Sequence, residues 1–182
     1  MLPQYYTIYK MKKHITIIAL ALISLATVFS GCKKDNNNDQ PEQKQKYTVR
    51  YELNNVQEFT NPLTGEVTVF TISPCFKANF SYTDADGQMK EMTDVALPWS
   101  TEIVVEKPFT AKMEGSIDYE VSELPDEVTY GTLYGILYKP VEAQVFSGEI
   151  LGQAGTTDKE RFLQFMESHP DRLKFSQEFS IE

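Results

Sequence analysis

Histidine and cysteine are almost missing from this 182-residue chain, which has two of each. Zinc centres, Ser-His-Asp constellations and disulfide frameworks all draw on those residues. One histidine falls in the leader discussed below, so His169 is left alone and no histidine-based zinc site can be assembled. Positive charge is also scarce, with 17 Lys and Arg against 26 Asp and Glu and a formal net charge of -9. A nucleic-acid-binding domain carries a basic stripe, so that class is excluded. No apolar run reaches the about 18 residues that mark a spanning helix. What remains, 41% hydrophobic and 24% charged residues, suits one ordinary globular domain rather than a disordered, collagenous or multi-span chain. No catalytic or cofactor-binding motif is evident, so neither a catalytic residue nor a cofactor is expected.

Lys12 and Lys13 precede fifteen residues, 15–29, interrupted only by Thr16, Ser24 and Thr27. As a helix this run spans roughly 22 Å, short of the ~30 Å hydrocarbon core. A basic start, a short apolar centre and small residues after it match a secretory signal, and the polar tract beyond lacks a basic stop-transfer pattern. Residues 1–31 are therefore read as a signal peptide whose true start is Met11. Residues 33–46, KKDNNNDQPEQKQK, have no aliphatic or aromatic side chain to bury. They are expected to form a disordered tether with an r.m.s. span of ~20 Å. Removal of the leader takes away three basic residues and no acid, leaving 14 basic against 26 acidic residues, or -12.

Phe29-Ser30-Gly31-Cys32 resembles the bacterial lipobox, whose Cys receives diacylglyceride, although Leu is usual where Phe29 stands. The resemblance implies lipidation of Cys32. Each buried CH₂ adds ~0.8 kcal/mol of membrane affinity, and two or three chains anchor a protein durably. Lys33-Lys34-Asp35 resembles, in part, the export signal of Bacteroidetes lipoproteins. That implies the outer membrane and display at the cell surface, with the periplasmic face as the alternative. Cys75 then has no internal partner, and with no His or Lys beside it, it reads as a small buried hydrophobe rather than a nucleophile.

Residues 47–182 read as strands. Tyr47, Val49, Tyr51 and Leu53 alternate, and residues 66–72 follow the Asn61-Pro62-Leu63-Thr64-Gly65 turn. Phe76, Ala78, Phe80 and Tyr82 alternate up to Asp84-Ala85-Asp86-Gly87, a hairpin signal answered by residues 88–92. Residues 101–106 come next, then 109–121 with Phe109, Ala111, Met113, Ile117, Tyr119 and Val121 on one face. Two long strands, 128–138 and 141–151, are expected to meet at Lys139-Pro140, and a last strand covers 173–181 with Phe175, Phe179 and Ile181 inward. One helix intervenes: Thr157-Asp158-Lys159-Glu160 reads as a capping box with Thr157 at the N-cap. Phe162, Phe165 and Met166 give it an apolar stripe, and His169-Pro170 ends it. The fold class expected is all-β, an immunoglobulin-like antiparallel β-sandwich with one short C-terminal helix.

Phe80-Ser81-Tyr82-Thr83-Asp84-Ala85-Asp86-Gly87-Gln88, then Asp94-Val95-Ala96-Leu97-Pro98-Trp99-Ser100 and Phe109-Thr110-Ala111-Lys112-Met113, resemble the small mycobacterial membrane protein family, MmpS. The resemblance covers roughly residues 47–117. It implies an immunoglobulin-like sandwich outside the cytoplasmic membrane that acts as accessory to a lipid or siderophore exporter. The family keeps a transmembrane helix where this chain has its lipobox and a cysteine pair that is absent here, and it has no equivalent of 122–182, so fold carries over better than role.

The remaining candidates each have a plain structural reading. Asp84-Ala85-Asp86-Gly87 is superficially like a calcium loop but lacks the further acids such a loop needs, and it reads as a turn; no metal ligand set is expected. His169 stands at a helix C-terminus, where partial positive charge meets the dipole. Tyr130, Tyr134 and Tyr138 stand four apart, so on one strand they share a face. Outward, that face would be an aromatic platform for a sugar or a partner protein; inward, it is core. Gly131 and Gly135 on the opposite face favour close backbone approach. Trp99 is read either as an edge plug or as part of that ligand face. These residues together lead to a lipid-anchored, non-enzymatic envelope protein, bound to the membrane through its anchor and serving as an interaction or accessory subunit. A surface glycan- or small-ligand-binding module is the alternative, and a hydrolase with two close carboxylates stands third.

Overall fold

Period-two alternation of large apolar side chains forces a two-layer solution, because each strand has one face that must leave water. The computed structural model describes residues 45–182, so the leader, Cys32 and nearly all of the tether lie outside the described residues. In chain order the elements are β1 (Lys46–Leu53), β2 (Val56–Thr60), β3 (Val67–Thr71), β4 (Phe76–Thr83), β5 (Met89–Ala96), β6 (Trp99–Glu106), β7 (Phe109–Tyr119), a 3₁₀ turn (Val121–Glu123), β8 (Glu127–Pro140), β9 (Ser147–Asp158), α1 (Lys159–Ser168) and β10 (Lys174–Ile181).

One sheet has the order β6-β1-β8-β9 and the other β10-β7-β4-β5, and β2-β3 form a separate hairpin. All recorded strand pairs are antiparallel. The antiparallel sandwich with a single short helix is therefore what forms.

Val49, Tyr51, Leu53 and Ile136 from the first sheet meet Phe76, Ala78, Phe80, Tyr82, Ala111, Met113, Ile117, Phe175 and Ile181 from the second, all buried. Each fully buried large side chain contributes ~1.5–3 kcal/mol of transfer free energy. Gly115 lies abreast of Phe80 on one side and Phe175 on the other, whose ring centroids stand 6.5 Å apart. A Cβ there would run into the Asn79 carbonyl oxygen and the Phe80 side chain, so the position admits only glycine. Helix α1 closes one end: Phe162 is fully buried with centroid distances of 5.0 Å to Tyr119, 4.9 Å to Tyr130 and 5.8 Å to Phe76.

The structure corrects four local expectations. Strand β2 has no clean alternation, yet the Asn61–Gly65 turn needs a partner for β3 and Val56–Thr60 supplies it. Val121 leaves the β7 face for the 3₁₀ turn and is 51% exposed. Strand β8 does not stop before Lys139-Pro140, because it stays paired to β1 as far as Tyr47↔Pro140. The reversal comes later, over 141–146, where Lys139 Nζ donates to the Ala143 carbonyl at 2.8 Å and the Arg50 guanidinium lies 4.1 Å over the Phe146 ring. Strand β9 is correspondingly displaced to Ser147–Asp158. Thr157 is held in its ladder opposite Val128, so the helix N-cap falls to Asp158, whose carboxylate accepts from the Arg161 N–H at 2.9 Å.

Candidate functional site

Tyr130, Tyr134 and Tyr138 do share one face of β8, and it is the inner one. Tyr138 stacks on Phe179 at 4.4 Å, Tyr134 lies 5.1 Å from Phe175, and Tyr130 packs on Phe162 and Phe165 of α1. All three are half-buried against the core. Burial raises the Tyr130 phenol above its ordinary value, with Arg172 opposing the shift. Behind them Gly131 and Gly135 are buried, and a Cβ at Gly131 would meet the β9 backbone at Gln153 and Ala154. Trp99 is also inward and half-buried, 4.7 Å from Phe80 and 5.5 Å from Tyr82. Leu53 pairs with both Trp99 and Tyr134, so the tryptophan and the tyrosine row sit two strands apart in one sheet.

Tyr134 lines a surface depression. That depression, about 580 Å³, is bordered by Asn79, Glu114, Lys174 and Phe175. A second, about 720 Å³, adjoins it at Ser116 and Lys174 and runs toward α1. Ile117, Leu163, Met166 and Leu173 give it an apolar floor, and Asp118, Glu120 and Glu167 stand on its rim. Register builds this surface, because Asn79 and Lys174 both pair with Ser116 across three adjacent strands. Asn79 fixes its upper edge: its amide donates to Asp118 Oδ2 at 2.6 Å, and its carbonyl oxygen accepts from the Asp94 N–H at 2.8 Å, where the β4-β5 register shifts and Asp94 has φ 54°. Lys112 bonds Glu114 at 2.8 Å and Lys174 bonds Asp171 at 2.7 Å, and these contacts raise both lysines' pKa values. Exposed pairs of this kind are screened by water and add little to stability. An apolar floor with an acidic rim can hold an apolar body bearing positive charge. Sequence reading missed these residues because positions 79, 114 and 174 carry no shared spacing and meet only through strand pairing.

The other candidates take structural places. Asp84 Oδ1 accepts from the N–H groups of Asp86 and Gln88, both at 3.0 Å, and Gly87 has φ 76°, so this loop is a hairpin turn. Among the described residues no group of three or more His, Cys, Asp or Glu could hold a metal. His169 caps α1, with Nδ1 3.1 Å from the Phe165 carbonyl and its ring stacked on Phe165 at 4.5 Å. Cys75 is half-buried, and burial pushes its thiol up.

Among the described residues no helix is long and apolar enough to cross a membrane. No curated protein matches the chain. A protein-family profile described as Mycobacterium membrane protein matches residues 15–114, from the start of the N-terminal apolar run into β7. It thus begins earlier than the resemblance read from residues 47–117 and leaves β8, β9, α1 and β10 outside. On this match, which takes in more than half of the 182 residues, the chain belongs to the Mycobacterium membrane protein family.

Proposed function

We propose that this protein is a membrane-anchored, non-enzymatic subunit that holds its β-sandwich outside the membrane as an interaction or accessory component of an envelope complex. The observation that carries the reading is the family match over residues 15–114. The shallow, open form of the two depressions, the second with acids around an apolar floor, favours contact with another molecule over enclosure of a substrate. The anchor is an acylated Cys32 at the outer membrane, with the domain at the cell surface and the periplasmic face as the alternative. The test is solubilisation of the full-length chain from its host in mild detergent, followed by native electrophoresis. Migration in a complex well above its own mass is expected, and migration as a lone chain sinks the reading.

A second reading of the anchor rests on where the family match begins. It includes the apolar run that starts at residue 15, which favours a retained span of the kind the resemblance implies. Mass spectrometry of the mature N-terminus separates the two: a diacylated terminus at Cys32 supports the lipoprotein, and an intact peptide spanning residues 15–31 supports a retained span. Glycan binding draws on Tyr134, which lines a depression, and unchanged glycan-array binding in Tyr134→Ala would remove it.

A further inference from the structure

We infer that the β2-β3 hairpin is the docking element for a partner protein whose contact surface is apolar at its centre and basic at its rim. The inference rests on the accessory-subunit reading and names the surface that subunit uses. Five large apolar residues within fourteen positions are exposed on this hairpin: Val56 at 46% and Val67 and Val69 at 55% on one face, Phe59 at 46% on the other, and Leu63 at 93% on the turn. Apolar side chains so concentrated on one projection mark a contact site more often than chance exposure. The projection is built to hold its shape. At its base the Asn54 N–H donates to the Leu133 carbonyl at 2.7 Å, the Ala154 N–H donates to Gln57 Oε1 at 2.7 Å, and Ile72 is buried. At its tip Asn61 Oδ1 accepts from the Leu63 N–H at 2.9 Å, and the Gly65 N–H donates to the Asn61 carbonyl at 2.8 Å. Leu63 is thus presented on a closed turn, and a partner need not bear the entropy of ordering it.

Charge and position select the occupant. Between Arg50 and Lys77 there is no basic residue, and the hairpin's only charges are Glu58 and Glu66. An anionic lipid surface attracts basic segments, so this tip is unsuited to it. A second copy would set Glu58 and Glu66 against their own kind in a domain that carries 11 basic and 23 acidic residues over positions 45–182. A basic-rimmed protein surface meets the same acids favourably, which raises association rate and fixes orientation. The hairpin also leaves the Leu53 end of β1, whereas the chain toward the anchor enters at Lys46. At ~3.3 Å per residue the strand separates these points by roughly 23 Å. The base of the hairpin is therefore at the end of β1 opposite to the one where the chain enters the sandwich.

The experiment places p-benzoylphenylalanine at Leu63, at Val67, or at Val145 on the 141–146 loop as the control, in the full-length chain in host cells. Each is irradiated alone and with Glu58→Lys/Glu66→Lys, and native electrophoresis is run in parallel. The expected result is one adduct from positions 63 and 67 and not from 145. Its partner peptide should map to apolar residues beside Lys or Arg, with the yield about tenfold lower after the charge reversal. An adduct with lipid, an adduct with a second copy of the chain, or no hairpin adduct while the native complex persists overturns the inference and leaves the accessory reading standing. Loss of the native complex in the unsubstituted protein overturns both.

Discussion

Tyr51 is fully buried between the sheets, and its hydroxyl, which interacts with the Thr83 side chain, makes no hydrogen bond of good geometry. The ring is well used, tilted against Tyr82 at a centroid distance of 5.1 Å. A buried hydroxyl so weakly partnered recovers little of its desolvation cost. Tyr51→Phe should therefore leave the fold intact and change stability by no more than about 1 kcal/mol, toward greater stability. Urea denaturation of the two proteins checks this, and a clear loss of stability would mean that the hydroxyl is well partnered. The alternation that places Tyr51 inward is plain in Tyr47, Val49, Tyr51 and Leu53. The weak partnering of its hydroxyl is not, because it depends on which atoms of β4 lie opposite. Asp158 teaches the same lesson: Thr157 and Asp158 are both capping residues, and only the pairing of Thr157 with Val128 leaves the cap to its neighbour.

Helix α1 is held by one face, Phe162 and Met166 buried and Phe165 against Tyr130. A helix of ten residues is marginal alone, so this face rather than propensity keeps it folded. Phe162→Ala should cost about 3–5 kcal/mol, because the cavity opens among Phe76, Tyr119 and Tyr130 at once. Thermal melting and near-ultraviolet circular dichroism read the loss, and a change under ~1 kcal/mol would contradict the packing described. The helix was legible because its stripe has one period throughout. Strand β2 was not, since Val56 and Phe59 are an odd number of positions apart and lie on opposite faces of a strand that packs weakly. Its existence follows from the turn and from β3. The β8-β9 boundary was misplaced for a related reason: proline is tolerated at a strand end, and β1 keeps β8 paired through Pro140.

For the whole molecule, burial decides how stability responds to alkali. Desolvation is the first cause of raised pKa values at Tyr51, Tyr119 and Tyr130, whose ordinary value is 10.0. The folded state holds these phenols neutral while the unfolded chain releases their protons from that pH upward. Folding stability should then be fully present below pH 10.0 and fall as pH rises above it. Denaturant midpoints measured from pH 8 to 11 check the sign, and Tyr51→Phe should flatten the decline. The excess of acids over bases in positions 45–182 adds self-repulsion in the same direction as tyrosines ionise.

Local sequence pattern already carries the layered class, the inward face of most strands, the Asp84–Gly87 turn and the stripe of α1. Each follows from side chains near one another along the chain, where a period of 2.0 or 3.6 is visible. Only the tertiary structure decided which way the tyrosine row faces, since two positions of equal period point to either side until a second sheet covers one of them. It alone brought Asn79, Glu114 and Lys174 to one depression and left the hairpin's apolar residues uncovered. Strand order and exposure depend on partners distant in sequence, and no local pattern encodes them.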